Sequence, residues 1–182
     1  MTYLDLARRL RLPLGFLLGG AYLVLARPTT LGLITGGAIA LAGVFVRAWA
    51  AGHIMKDDRL ATSGPYAHTR NPLYFGSFLI AAGFAIAVHW ALLLLVIAFF
   101  VLVYAPNIER ERRHISTRFG EEYDAYAANV PAFIPRGTPW RREHAEPGRF
   151  SWDLYMKHQE WKAGITYLLV MGWLAFRGAL GL

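Results

Sequence analysis

The chain has no cysteine. A disulfide framework, a thiolate metal site and a cysteine nucleophile are all excluded, and the redox compartment stays open. Charge is scarce too, at 17% of 182 residues against 55% hydrophobic. From Asn71 to Ile108 there is no Asp, Glu, Lys or Arg at all, about twice the apolar length one membrane span needs. An internal repeat, a low-complexity tract and a flavin or nicotinamide fingerprint are also missing. This composition predicts an all-α integral membrane protein, with residues 1–182 as one domain.

The formal charge of +7 would suit nucleic acid, but its placement argues for topology instead. Arg8, Arg9 and Arg11 precede the first apolar segment, Lys56, Arg59 and Arg70 share the second polar stretch, and ten more Lys or Arg fall between Arg110 and Lys162. Only Arg27 and Arg177 fall on the other side. Basic loops kept in the cytoplasm give this asymmetry. The expected surface is therefore a membrane with anionic lipid, not DNA.

Five apolar spans are expected. The first runs from about Leu12 to Ala26; its basic prelude and Val24-Leu25-Ala26 also fit a cleavable signal peptide, but further spans follow. The second runs from about Leu31 to Val46, with Arg47 placed to snorkel, Trp49 to anchor, and Gly32, Gly36, Gly37 and Gly43 leaving room for close helix approach. The uncharged run breaks at His89-Trp90, which predicts two antiparallel helices of roughly 25 Å each. That hairpin brings Asn71 and Glu111 to one face. Gly120 is placed to cap the helix carrying "IERERRHISTRF", and "EEYDAYAANV" opens with acids and stops before Pro131. A loop from Pro135 to Pro147, an interfacial aromatic segment and a fifth span, Ile165 to Leu182, complete the chain. With the N-terminus inside, the C-terminus lies outside.

Between the second span and the hairpin stands "SGPYAHTRNPLYFG". Pro72 suits the first position of a helix and Asn71 the cap before it. The amides and dipole of that helix start favour an anion, and Arg70 adds a planar cation beside them. Tyr66 and Tyr74 offer rings or hydroxyls, and Glu111 an acceptor from the second arm. Singly, each has a plainer reading: Arg70 as a positive-inside anchor, Tyr66, Tyr74 and Tyr104 as an aromatic belt, Glu111 as a solvated helix residue. The spacing of His53, His68 and His114 compels no metal site, and none is expected. Together, the doorway residues suit a small zwitterion with a carboxylate, an ammonium, a ribose and a purine, such as S-adenosylmethionine.

"LATSGPYAHTRNPLYFG" followed by "ERERRHISTRFGEEYDAYAANVPAFIP" resembles the isoprenylcysteine carboxyl methyltransferase and phospholipid methyltransferase superfamily, over roughly Gly52 to Pro135. The resemblance implies an integral membrane enzyme that takes S-adenosylmethionine from the cytosol and methylates a lipophilic carboxylate or amine. By position, it implies Lys56, Arg59, Leu60 and Ala61 at the cofactor entrance. Gly64, Tyr66, Asn71, Pro72, Leu73 and Tyr74 would contact the cofactor, Arg70 would support the helix start, and Glu111 would close the pocket. Arg70, Tyr74 and Glu111 would bind and orient, not transfer protons. The C-terminal segment 148–182 lies beyond the family-like core.

Three positions depart from the family pattern. Asn71 replaces a histidine, a choice shared with bacterial relatives, and Lys56 replaces a glutamine. Asn107 stands where prenylcysteine enzymes place a substrate-binding arginine; the resemblance makes it the candidate substrate residue, and a carboxylate acceptor lacks its usual partner there. The expected setting is the bacterial cytoplasmic membrane with the site facing the cytoplasm. The competing readings are an NADPH-dependent membrane reductase of sterol-reductase-like architecture and a non-catalytic membrane assembly protein. Neither the acceptor nor the oligomeric state is set by the sequence.

Overall fold

The computed structural model describes residues 13, 15–17, 19, 20, 22, 23, 26–54, 59–141 and 148–181. Among these there is no strand. Between residues 13 and 23 every described position is helical; the basic prelude and Lys56 lie outside the described residues.

Helix α1 (Thr30–Ala51) starts at Thr29, whose hydroxyl accepts from the Gly32 amide at 3.1 Å. Helix α2 (Pro72–Val88) begins with its proline in the first turn and ends at His89. After the break, α3 (Leu92–Phe99), a π-turn (Phe100–Tyr104) and α4 (Ala105–Phe119) form one continuous helical rod. Gly120, at φ +49°, ends it, as a residue without Cβ can. Helix α5 (Glu121–Asn129) carries Glu121, Glu122 and Asp124 in its first turn, where the helix dipole favours acids. A short helix α6 (Trp152–Lys157) leads to α7 (Trp161–Ala179).

The expected hairpin is therefore present, with its break at His89–Ala91. Two details were not anticipated: the π-turn in the second arm, and the start of α7 at Trp161 instead of Ile165. Pro106 has no amide hydrogen to continue a regular ladder, and the π-turn ends two residues before it. Of the helices, Thr30–Ala51 and the 28-residue Leu92–Phe119 are long and apolar enough to cross a membrane, while Pro72–Val88 is apolar but shorter. Leu94, Leu95, Val101, Leu102, Leu168 and Leu169 are all more than half exposed. Apolar surface of that extent on several helices suits lipid better than water.

Packing between α1 and α2 is set by missing side chains. A Cβ at Gly43 would lie 2.6 Å from the Gly76 carbonyl oxygen, and one at Gly32 would lie 2.7 Å from that of Ala87. A Cβ at Gly36 would run into the Gly83 carbonyl and the Ala87 amide. Backbones this close gain dispersion contacts that larger residues would prevent. Gly37 faces elsewhere, against Met171 of α7. Helix α7 adds a Tyr167 hydroxyl bond to the Gly37 carbonyl at 3.3 Å and stacks Tyr167 on Phe84. Ala26, Ala87 and Leu174 form a fully buried knot at the opposite end from the doorway.

Arg47 does not snorkel outward. Its side chain turns into the bundle and forms a two-pronged ion pair with Glu160, Nε to Oε2 at 2.9 Å and a terminal nitrogen to Oε1 at 2.7 Å. The two side chains are 25% and 11% exposed. A buried carboxylate 113 residues away is a better partner than distant water, because a guanidinium fork matches a carboxylate along two parallel bonds.

Candidate active site

The doorway folds as a 3-10 turn, Gly64–Ala67, ahead of α2. Gly64 takes φ +58°, and a Cβ there would lie 2.6 Å from the His53 ring. Both conformation and space therefore require glycine. The chain after α5 then laces back over this turn. Arg70 N donates to Pro131 O at 2.9 Å, Thr69 Oγ1 to Phe133 O at 2.9 Å, Arg136 N to His68 O at 2.9 Å and Trp140 N to Ala67 O at 2.9 Å. Tyr123 and Tyr126, one turn apart on α5, and Val130 just after the helix are buried against Leu60, Ile115 and Phe119. The Tyr126 hydroxyl donates to the Tyr66 carbonyl at 2.7 Å. Tyr126→Phe leaves that buried carbonyl without this partner, which costs about 1–3 kcal/mol. A lowered thermal midpoint is expected, and melting identical to the parent's would show that the bond is not made.

A cavity of about 340 Å³ opens beneath this lacing, within the range of small-molecule sites. Arg59, Leu60, Ala61, Tyr66, Arg70, Asn71, Pro72, Leu73, Tyr74 and Glu111 all line it. These are ten of the twelve positions expected at a cofactor site, and Arg70 and Glu111 share one wall system across the hairpin. Gly64 does not line the cavity but shapes the turn above it; Lys56 lies outside the described residues. Sequence reasoning missed Ile54, Arg112, His114, Ile115, Arg118, Phe119, Tyr123 and Tyr126. The signal for part of this set was available, since 111, 114, 115 and 118 form one stripe along a helix.

Two buried polar atoms in these walls have no partner among the described residues: the Tyr66 hydroxyl and Arg70 Nε. Burial, with Tyr126 and the carboxylates of Glu111 and Glu160 adding to it, pushes the Tyr66 phenol well above its ordinary range against the opposing pull of Arg47. The phenol therefore stays neutral and keeps its proton to donate. Arg70 uses one terminal nitrogen on the Tyr123 hydroxyl at 3.1 Å. Glu111 is exposed and makes no hydrogen bond or ion pair among the described residues. Buried donors left unmet, such as the Tyr66 hydroxyl and Arg70 Nε, are costly unless water or a polar ligand meets them.

One expected role is corrected. Asn71 occupies the cap position of α2, but its side chain makes no capping bond and instead donates to the Ala132 carbonyl at 2.8 Å. The return segment supplies a carbonyl within reach, so the amide serves tertiary closure and does not cap α2. Asn107 lines neither this cavity nor the one described next; its amide donates to the Val103 carbonyl, one turn earlier on the same rod.

A second cavity, about 410 Å³, adjoins the first. Arg70, Asn71, Arg112 and Tyr123 line both. Its remaining walls are mostly apolar, with Phe78, Phe100 and Phe133 packed edge to face at 5.2 and 5.9 Å from Phe78, and with Ile97 and Val101 at its outer side. At its polar edge Glu109 is held by Arg112 at 2.6 Å and Arg113 at 3.0 Å. The π-turn places Phe100 in this wall and stacks it on Tyr104 at 4.4 Å. A basic, polar chamber and an apolar one thus meet at a common partition.

Residues 34–122 match the phospholipid methyltransferase family. The nickel-cobalt-cadmium resistance protein NccN of Alcaligenes xylosoxydans xylosoxydans is 36% identical over 100 residues, 53% of this chain and 46% of that protein. The cobalt-zinc-cadmium resistance protein CzcN of Cupriavidus metallidurans is 36% identical over 117 residues, 63% of this chain and 52% of its own length. The protein-S-isoprenylcysteine O-methyltransferase of Schizosaccharomyces pombe is 32% identical over 81 residues, 44% of this chain and 34% of that enzyme. The chain spans about half the length of the two resistance proteins. No solved structure matches it. Residues 34–122, which take in most of α1, the doorway, the hairpin and the Glu111 stripe, are thus the part of the chain that matches the phospholipid methyltransferase family, and an isoprenylcysteine O-methyltransferase is among the chain's relatives.

Proposed function

We propose that the chain is a membrane methyltransferase that receives S-adenosylmethionine in the polar cavity and a lipophilic acceptor in the apolar one. The observation that carries this reading is the pair of adjoining cavities with a shared wall of Arg70, Asn71, Arg112 and Tyr123. The family match supports the reaction class. The topology that goes with it has five spans, the N-terminus and the polar cavity on the cytoplasmic side of a bacterial membrane, and the acceptor's tail in lipid. The basic loops and the exposed apolar helix faces support that arrangement.

The residues present fit the donor. Arg70 Nε, the Tyr66 hydroxyl and the uncapped start of α2 would meet its carboxylate, and Glu111 its ammonium or ribose hydroxyls. Leu60, Ile115 and Phe119 offer apolar wall to its purine. Bound there, S-adenosylmethionine would supply a sulfonium-activated methyl group. The chain's part is to align the two ligands across the partition and to keep water out. Alignment of two reactants is worth roughly 7–11 kcal/mol. Arg70, Tyr74 and Glu111 bind and orient; no side chain is assigned proton transfer.

Calorimetry of the purified chain with S-adenosylmethionine, S-adenosylhomocysteine and NADPH tests the donor. Binding of the first two and not the third is expected. Binding of NADPH alone would establish the reductase reading instead, and binding of none would favour a non-catalytic role. Methyl-labelled S-adenosylmethionine with a host lipid extract then identifies the acceptor by its label.

A further inference from the structure

The first turn of α2 forms one wall of the polar cavity through Pro72, Leu73 and Tyr74. That turn is gripped from outside the cavity. An Arg47 terminal nitrogen donates to the Leu73 carbonyl at 3.4 Å and to the Ser77 hydroxyl, and Ser77 donates to the same carbonyl at 2.8 Å. The other prongs of Arg47 are held by Glu160, at the start of α7. Gly76 makes this possible, because a Cβ there would lie 2.6 Å from Arg47 Cγ. The Arg47 and Glu160 charges also act on the buried Tyr66 hydroxyl in the cavity wall. Glu160 lies beyond the family-matched residues 34–122.

We infer that Arg47 and Glu160 are positioning residues of the donor site, through which the C-terminal arm sets the first turn of α2. Glu160 holds the guanidinium, the guanidinium holds the Leu73 carbonyl, and the Leu73–Tyr74 segment faces the donor at a fixed register. Neither residue touches the ligand. The inference rests on the donor reading above for its binding readout, but its geometric core does not.

A purely structural ion pair and a positioning pair respond differently to charge exchange. Glu160→Gln keeps the shape but loosens Arg47, and is expected to weaken S-adenosylhomocysteine binding about tenfold, equivalent to about 1.4 kcal/mol. Glu160→Asp, which keeps the charge, should recover part of that loss. The exchange of Arg47→Glu with Glu160→Arg restores an ion pair and should restore the thermal midpoint. It does not restore the residue-47 guanidinium that holds the Leu73 carbonyl and the Ser77 hydroxyl, so ligand affinity should stay about tenfold down. Recovery of both midpoint and affinity in the exchanged protein would overturn the inference, as would parent-like affinity in Glu160→Gln. Amide hydrogen exchange of residues 73–77 provides a readout that needs no ligand. Faster exchange there is expected in Glu160→Gln and in the exchanged protein alike, and unchanged exchange in both would overturn the inference. A parent that shows no donor binding would count against the donor reading alone and leave the exchange experiment to decide this one.

Discussion

Gly83→Ala is expected to prevent α1 and α2 from closing, with a loss of about 3 kcal/mol and a thermal midpoint lower by roughly 6–12 °C. The new methyl group would fall inside the Ala40 amide and the Gly36 carbonyl, with the Ala40 Cα only 2.8 Å away. All three are backbone atoms of a helix and cannot rotate aside. Since α1 carries Arg47 and α2 carries the cavity wall, donor binding should fall with the helix contact. Gly172→Ala on α7 is the control, because nothing lies within 4 Å of the added carbon. Detergent-extracted protein melted with both variants settles the matter: equal midpoints would mean that α1 and α2 do not meet through Gly36 and Gly83.

The second large effect concerns Arg70. Among the described residues its Nε is buried without a partner beside the start of α2, and one terminal nitrogen is engaged, by the Tyr123 hydroxyl. A charge-assisted hydrogen bond is worth about 1.5–3 kcal/mol, so Arg70→Ala should weaken S-adenosylhomocysteine binding by roughly 10- to 150-fold. Arg70→Lys keeps the charge without the planar fork and should fall between. Loss of the single bond to Tyr123 also predicts a small drop in stability, common to both variants. Affinity must therefore be compared with the thermal midpoint in each. If Arg70→Ala binds like the parent, the donor does not use this wall. Glu111→Ala and Tyr74→Ala should weaken binding in the same direction, while Asn107→Ala, off both cavities, should not change it.

Much of the doorway was legible because its chemistry is local. Pro72 after Asn71 marks a helix start, and Gly120 marks a stop because a left-handed residue is cheapest without a side chain. An uncharged run twice the length of a span has to fold back, which puts Asn71 and Glu111 at one end. Small residues in α1 announced a close helix contact, although Gly37 proved to face α7. Along α4, the stripe of Glu111, His114, Ile115 and Arg118 could have been extended by helical period and was not.

Other features depended on which carbonyl or carboxylate came within reach. The Asn71 amide left its cap position for the Ala132 carbonyl, and Arg47 turned from the membrane surface to Glu160. Tyr126 reached the Tyr66 backbone across 60 residues. By itself the sequence determined the helical membrane class, the hairpin and the residues of the doorway, since hydropathy, charge and turn chemistry act between near neighbours. Only the tertiary structure decided the partners of Asn71, Arg47 and Tyr66 and the division into two cavities. Polar side chains in a dry interior bond whatever group the distant chain brings to them, and that proximity is not written in local spacing.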